Sequence, residues 1–528
     1  MSYTTPTKRY IITLATTVAL CFTPAILSAQ TGTGQGAQHD IPQDKLLPEV
    51  AQILLHRKAP TTEALKQDVY AGLIALHEPE GADYMSIGAQ IITCQFNSYQ
   101  KTIAAQNDTI FEACPNMEYI YKPSLKIDLK VQGEDLHFPC KTLNAQNCVE
   151  QTLARKDDYV SLIQKNAVLL ERYAATMQLP NYHSYFFDIK GGMPPFHYMV
   201  RLSELRLVQA VIAFHQEDTD TGFKLLTEEI QFAKRSLTHN TTLIGKMIAL
   251  AQLYTSYHTL STLLDSPFMQ PYLQDKRLLT LLALPNQDEQ TAIAHLENEQ
   301  NYTLYFSYTL SLEALDMYID PPIQVEGIYD EIFSQAYHKE LAASGMTPKQ
   351  FLHTHYNRYA TTNMTYAYWQ TISNRMALNF EELAAIYDHN DHKLPDLPPP
   401  VLPKKNLTDS NSIKQLSDNF IGEGLLTREI NPWDEYSKRF YDSQVYIHLV
   451  NFKHQIISAK LKANEVNAFI QKAGQAAQHP ITREPFTWDE STLTLSTPWI
   501  AGNLPVGGRG NGIYPTMESM SVYIPLPN

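Results

Sequence analysis

FKLLTEEIQFAKRSLTHNTTLIGKMIALAQLYTSYHTLSTLL, residues 223–264, decides the fold class. Phe223, Leu226, Ile230, Ala233 and Leu237 recur at steps of three and four, which puts them on one face of a helix. His239-Asn240 interrupts the pattern as a turn, and Thr241 or Thr242 is placed to cap a second helix. Leu243, Met247, Leu250, Tyr254, Tyr257 and Leu264 then form a second stripe, whose tyrosines are candidates for a concave binding face. With another helix expected near 202–214, this makes consecutive helices of roughly 15 to 22 residues joined by short polar turns. Such helices pack as antiparallel neighbours, in a bundle or an α-solenoid.

Moving upstream, Leu153, Ile163, Ala167, Leu170, Ala174 and Met177 keep helical spacing until Pro180 ends it. Residues 61–76 are expected to be helical, 77–81 (HEPEG) a turn, and 124–131 a strand or hairpin arm because apolar and charged residues alternate there. Downstream, helices are expected over 288–317, 328–343 and 348–388. Residues 394–403 hold five prolines and form an extended linker. Beyond it a long helix over 433–464, a shorter one over 465–476, and strands near 492–496 and 521–524 are expected. No repeat of fixed length is present, so a regular array is not supported. The fold class that follows is mainly α: an irregular helical-repeat or helical-bundle array with a small α+β C-terminal unit. Its expected divisions are a signal peptide (1–29), a disordered leader (30–45), a disulfide-stapled N-terminal region (46–150), a central helical array (151–393), a Pro-rich linker (394–405) and the C-terminal unit (406–528).

The first 29 residues have the order of a secretory signal. Lys8 and Arg9 precede an apolar run, Pro24 breaks it, and Leu27-Ser28-Ala29 offers a small-residue cleavage site after Ala29. Leu20 before Cys21 is too large for lipoprotein processing. No later segment has enough uninterrupted apolar residues to span a bilayer, so no stable membrane insertion is expected after cleavage. The chain therefore belongs in the periplasm or outside the cell.

The whole chain carries a net charge of −14. Losing Lys8 and Arg9 leaves 39 basic against 55 acidic residues, or −16. A surface of that sign repels phosphate backbones, so nucleic acid is not an expected partner. Cys94, Cys114, Cys140 and Cys148 are an even set within 55 residues, and in an exported chain they are expected as disulfides. Three pairings are open. The local ones, Cys94 with Cys114 and Cys140 with Cys148, close the shortest loops.

The candidate chemistry is sparse. His353 and His355 have ligand atoms, but residues two apart on a helix point to different faces. Asp388-His389-Asn390-Asp391-His392 could hold zinc or copper, or could be a polar helix end. Glu297 and Glu299, with His295 nearby, could be an acid–base pair, although a spacing of two sets them about 200° apart around a helix. His77, Glu78, Glu80 and Asp83 cluster around a Pro-Gly turn. Residues 507–512 (GGRGNG) lack the lysine and hydroxyl of a phosphate loop. The chain has no G-x-S-x-G, no H-E-x-x-H and no dinucleotide fingerprint. No residue is singled out as catalytic, cofactor-binding or metal-ligating, and no cofactor is implied.

Residues 69–83 (VYAGLIALHEPEGAD), Cys140 to Cys148, 169–173 (LLERY), 179–182 (LPNY), the hairpin over 201–264, and 419–422 (NFIG) before Asn431-Pro432 resemble stretches of a loosely related set of exported bacterial proteins without assigned activity. The resemblance implies a helical fold behind a conventional signal peptide, and no activity, substrate or catalytic residue. Tetratricopeptide scaffolds are set aside because their repeating Trp, Gly, Ala and Pro pattern is missing. Soluble lytic transglycosylases are set aside too: Glu518-Ser519 lies ten residues from the last residue, with no lysozyme-like domain after it. The expected function is that of an exported, non-catalytic binding or scaffold protein of the cell envelope, with another envelope protein as its partner. The alternatives are an envelope hydrolase using an acidic pair and a metal-handling periplasmic protein.

Overall fold

The computed structural model describes residues 42, 44–106, 114, 124–141, 146–185, 193–310, 341–390, 394, 419, 432–500 and 519–526. The signal peptide, nearly all of the leader, the proline linker apart from Leu394, the glycine cluster 507–512 and most of the helix expected at 328–343 lie outside them. The described chain is mainly α with two small antiparallel sheets.

In the N-terminal region α1 (Pro48–Leu55), α2 (Val69–Ile74) and α3 (Tyr84–Ala105) precede a short hairpin, β1 (Lys130–Val131) and β2 (Glu134–Asp135). The central array holds α4 (Cys148–Ala154), α5 (Lys156–Lys165), α6 (Ala167–Met177), α7 (Phe196–His215), α8 (Thr219–His239), α9 (Leu243–Leu263), α10 (Glu297–Thr309), α11 (Arg358–Met376) and α12 (Phe380–His389). At the C-terminal end α13 (Pro432–Ser458) and α14 (Val466–Ala473) lead into β3 (Thr487–Asp489), β4 (Thr494–Pro498) and β5 (Ser519–Tyr523). The three strands pair in chain order, with Trp488, Leu495 and Val522 in register across the sheet.

The α7–α8–α9 hairpins form the middle of the molecule. Phe223, Leu226, Ile230, Ala233 and Leu237 are all buried, and the Thr242 hydroxyl caps α9 by accepting from the Gly245 amide at 3.2 Å. Tyr254 and Tyr257 are buried as well, so α9 is a central helix and its tyrosines are core instead of a binding face. One apolar cluster runs from Val69 through this array to Ile524. A smaller second cluster joins α1, α2 and α3 to Leu304, Tyr305 and Tyr308 of α10.

Several expected elements are interrupted, each for a visible reason. The helix expected over 61–76 opens between Leu65 and Val69, where Asp68 turns toward Asn181 and His183. The helical stretch 153–177 is cut at Asn166, whose amide donates to Leu162 O and Asp128 O while its oxygen accepts from the Asp128 amide. The strand expected over 124–131 pairs only at its end. Its alternation instead reflects Leu125, Ile127 and Leu129 lying along the core without a partner strand. The cysteines form two local disulfides, Cys94–Cys114 and Cys140–Cys148. Among the described residues no helix is long and apolar enough to cross a membrane.

Candidate functional site

The site begins where two distant segments meet. The Val69 amide donates to Asn181 O at 2.9 Å and the Asn181 amide to Gln67 O at 3.3 Å, making a parallel bridge between Asp68 and Asn181. Asp68 is fully buried and caps α2, accepting from the Tyr70 amide at 2.9 Å. It also accepts from the His183 amide at 3.2 Å, and the His183 ring places Nδ1 2.7 Å from its Oδ2. Burial pushes the Asp68 carboxyl upward, and the bond from His183 is the main opposing influence. With two backbone N–H groups and the ring converging on it, the carboxylate is the acceptor for all three. The hydrogen-bond network therefore assigns the imidazole proton to Nδ1 and leaves the Nε2 lone pair free for other chemistry. The His183 side chain is 63% exposed, so this lone pair is open to the cleft the residue lines.

That cleft has a volume of about 510 Å³ and is lined by Arg57, Lys58, Pro60, Tyr182, His183, Ser184, Tyr185, Thr238, His239, Thr241, His295 and Glu297. Its far wall is built on Asn240, which is buried between α8 and α9. The Asn240 oxygen accepts from Ser184 Oγ, the Thr242 amide and Thr242 Oγ1, and its amide donates to the Tyr182 hydroxyl at 3.1 Å. The start of α10 is fastened to the same turn, since the amides of Asn298 and Glu299 donate to Thr241 O. Arg57 reaches in from the N-terminal region and donates to Asn298 Oδ1 at 2.9 Å. Burial lowers the Arg57 pKa, with Tyr99 and Tyr185 opposing.

Three histidines, His183, His239 and His295, line the cleft. Burial lowers His239 first, and the charges of Arg235, His183, Lys246 and His295 lower it further. His295 Nδ1 lies 3.6 Å from Glu297 Oε1. Burial pushes Glu297 up, but its bonds from His295 and from its own backbone outweigh that, so its carboxyl sits below the ordinary value. Behind this wall Lys246 is buried and donates to the carbonyls of Leu237 and Ala292, and burial brings it down to about 7.

Among the residues considered from sequence, the structure brings only His295 and Glu297 to the cleft. Glu299 turns away and accepts from the Leu243 amide at 2.7 Å, capping α9, so the two glutamates do not converge. His77 and Glu78 are buried in a turn clamped by Arg172, which donates to the carbonyls of Leu76, Glu78 and Pro79. Glu80 is exposed, and Asp83 caps α3 through the Ser86 amide. His355 lies against the Phe351 ring on the Pro348–His355 helix, and His353 is exposed. His389 donates to Ala385 O at the end of α12, while Asp391 and His392 lie outside the described residues. Among the described residues no group of three histidines, cysteines or carboxylates is close enough to hold a metal ion.

Asp68, His183 and Arg57 were not singled out from sequence, and His239 was read there only as part of a turn. Asp68 had a local sign, an Asp just before an apolar helical run. Its pairing with a histidine 115 positions away had none. Comparison of the chain with protein-family models, with curated proteins and with solved structures found no match to any of them.

Proposed function

We propose that the chain is an exported protein of the cell envelope that binds a small anionic ligand in the cleft between the N-terminal region and the α8–α9 turn. The observation that carries this is the composition of the lining. Arg57 and Lys58 stand on the walls of one 510 Å³ cleft whose lining holds a single carboxylate, Glu297, in a chain whose net charge is −14. A cationic concavity on an anionic molecule concentrates small anions while the remaining surface repels larger ones. The volume falls in the range of small-molecule sites, and Tyr182, Tyr185 and Pro60 add the apolar wall such sites use. The buried tyrosines of α9 favour the cleft over a helix face as the binding surface. Two disulfides suit an oxidising compartment, in agreement with the leader read in residues 1–29 and with a periplasmic or secreted location.

The test is thermal unfolding of the purified protein with a panel of mono- and dicarboxylates and aryl phosphates, repeated on the Arg57→Ala, Lys58→Ala double variant. At least one anion is expected to raise Tm in a concentration-dependent way in the parent and not in the variant. A panel without effect, or an equal effect on both proteins, overturns the reading.

A further inference from the structure

We propose that the cleft is hydrolytic, with the Asp68–His183 pair acting as general base for the attack of water on a carboxylic ester whose acid portion carries a negative charge. This rests on the anionic-ligand reading above and adds a reaction to it.

The first argument is that the His183 ring is not needed to hold the fold. The bridge between residues 67–69 and 181–183 is already made by the Val69 and Asn181 amides, and the His183 amide itself donates to Asp68. An imidazole with only a structural task would be expected to be packed away, yet this one stands 63% exposed in the cleft. The second argument is orientation. A fully buried carboxylate fixed by two backbone amides holds Nδ1 at 2.7 Å, which sets both the tautomer and the ring direction. The third is charge, since Arg57 and Lys58 line the same cleft and can receive negative charge as it develops on a carbonyl oxygen.

The step balances with water alone. His183 Nε2 takes a proton from water as the water oxygen bonds to the ester carbon, and the C=O π pair moves onto the carbonyl oxygen. The tetrahedral oxyanion faces Arg57 and Lys58. On collapse the C–O bond to the alcohol breaks, and the departing oxygen takes the proton from Nε2. An acid and an alcohol leave, and His183 is again neutral. Asp68 does not touch the substrate and is a positioning residue.

The probe is the 4-nitrophenyl monoester of succinic acid, followed by release of nitrophenolate. Its amide counterpart, which resists hydrolysis, measures binding by calorimetry. The ester is expected to be cleaved in proportion to protein, and more slowly when replaced by neutral 4-nitrophenyl acetate. His183→Gln keeps the backbone bridge and is expected to lower kcat/KM on the order of 100-fold while leaving the amide's Kd unchanged. Asp68→Asn should lower kcat while leaving KM and the amide's Kd unchanged; loss of a merely structural aspartate would disturb binding as well and would not give that split. An amide that binds while the ester stays at its background rate, or a His183→Gln variant as fast as the parent, overturns the hydrolytic inference and leaves the ligand reading standing. An amide that does not bind while an anion of the panel still raises Tm overturns the hydrolytic inference alone, and an amide that does not bind together with a panel without effect overturns both.

Discussion

At the residue scale the far wall of the cleft depends on one missing side chain. A Cβ added to Gly245 would lie 2.0 Å from Asn240 Nδ2 and 2.3 Å from Asn240 Oδ1. Asn240 cannot move aside, because its oxygen accepts from Ser184 Oγ, the Thr242 amide and Thr242 Oγ1 while its amide holds Tyr182. Alanine is the better helix former by about 1 kcal/mol, and overpacking a buried contact costs about 1–3 kcal/mol. At so short a distance the clash outweighs propensity. Gly245→Ala is therefore expected to lose about 2 kcal/mol of stability, read as a lower urea midpoint at unchanged m; a stabilised variant would mean that Asn240 does not pack against α9. This turn was largely legible in the sequence: His239-Asn240 as the break and Thr242 as a cap follow from residue type. The opposite wall was not. An aspartate before a helix is an ordinary N-cap, and nothing local distinguishes one that also orients a histidine 115 positions away.

At the scale of elements, α9 shows why periodicity located the helices better than it located their surroundings. The stripe from Leu243 to Leu264 implies one buried face. The structure also buries Ser256, Thr259 and Thr262, residues that periodicity assigns to solvent. They are tolerated because hydroxyls can be satisfied within their own helix. Ser256 donates to Gln252 O, Thr259 to Thr255 O and Thr262 to His258 O, at 2.7–3.0 Å. A helix packed by α7, α8 and α13 can thus carry hydroxyls away from its apolar stripe and still be buried nearly all round. Ser256→Glu should separate the two pictures. In the core an unpaired carboxylate costs several kcal/mol, so the variant is expected to unfold at markedly lower urea or fail to accumulate. Ile244→Glu, at a side chain 43% exposed on the same helix, is expected to stay within about 0.5 kcal/mol of the parent. Equal effects at the two positions would contradict the central placement of α9.

For the whole molecule, the C-terminal unit read behind the proline run shares one apolar cluster with the central array. The α13 helix lies along α9: Lys453 donates to Ser261 Oγ and Asp265, Asn451 to Leu282 O and His454 to Leu273 O, and the Trp488 indole donates to Ala463 O beneath the sheet. Long-range contacts of this kind leave no mark on local periodicity, so the sequence could place the elements of this unit but not its dependence on the core. The same burial creates a titratable weak point. His479 is fully buried and its Nδ1 accepts from the amides of Ile481 and Thr482, so a proton at Nδ1 would break both bonds. Burial, with the charge of nearby His448 second, lowers its pKa from the ordinary 6.5 to about 3. The unfolded chain therefore binds this proton first, and stability present above pH 6.5 is lost as pH falls toward 3. Buried Asp265, raised to about 6 by desolvation against the pull of Lys453, acts in the opposite sense, because the folded form binds its proton first. The total pH dependence mixes these contributions, and a difference between two proteins isolates the ring. His479→Asn keeps an acceptor for the two amides and does not titrate. Relative to the parent, its stability is expected to rise by about 2 kcal/mol between pH 7.5 and pH 5, read from paired urea midpoints. A difference that stays flat over that interval would mean that the ring takes up its proton as readily in the folded protein as in the unfolded chain, and that the sheet and α13 leave it open to water.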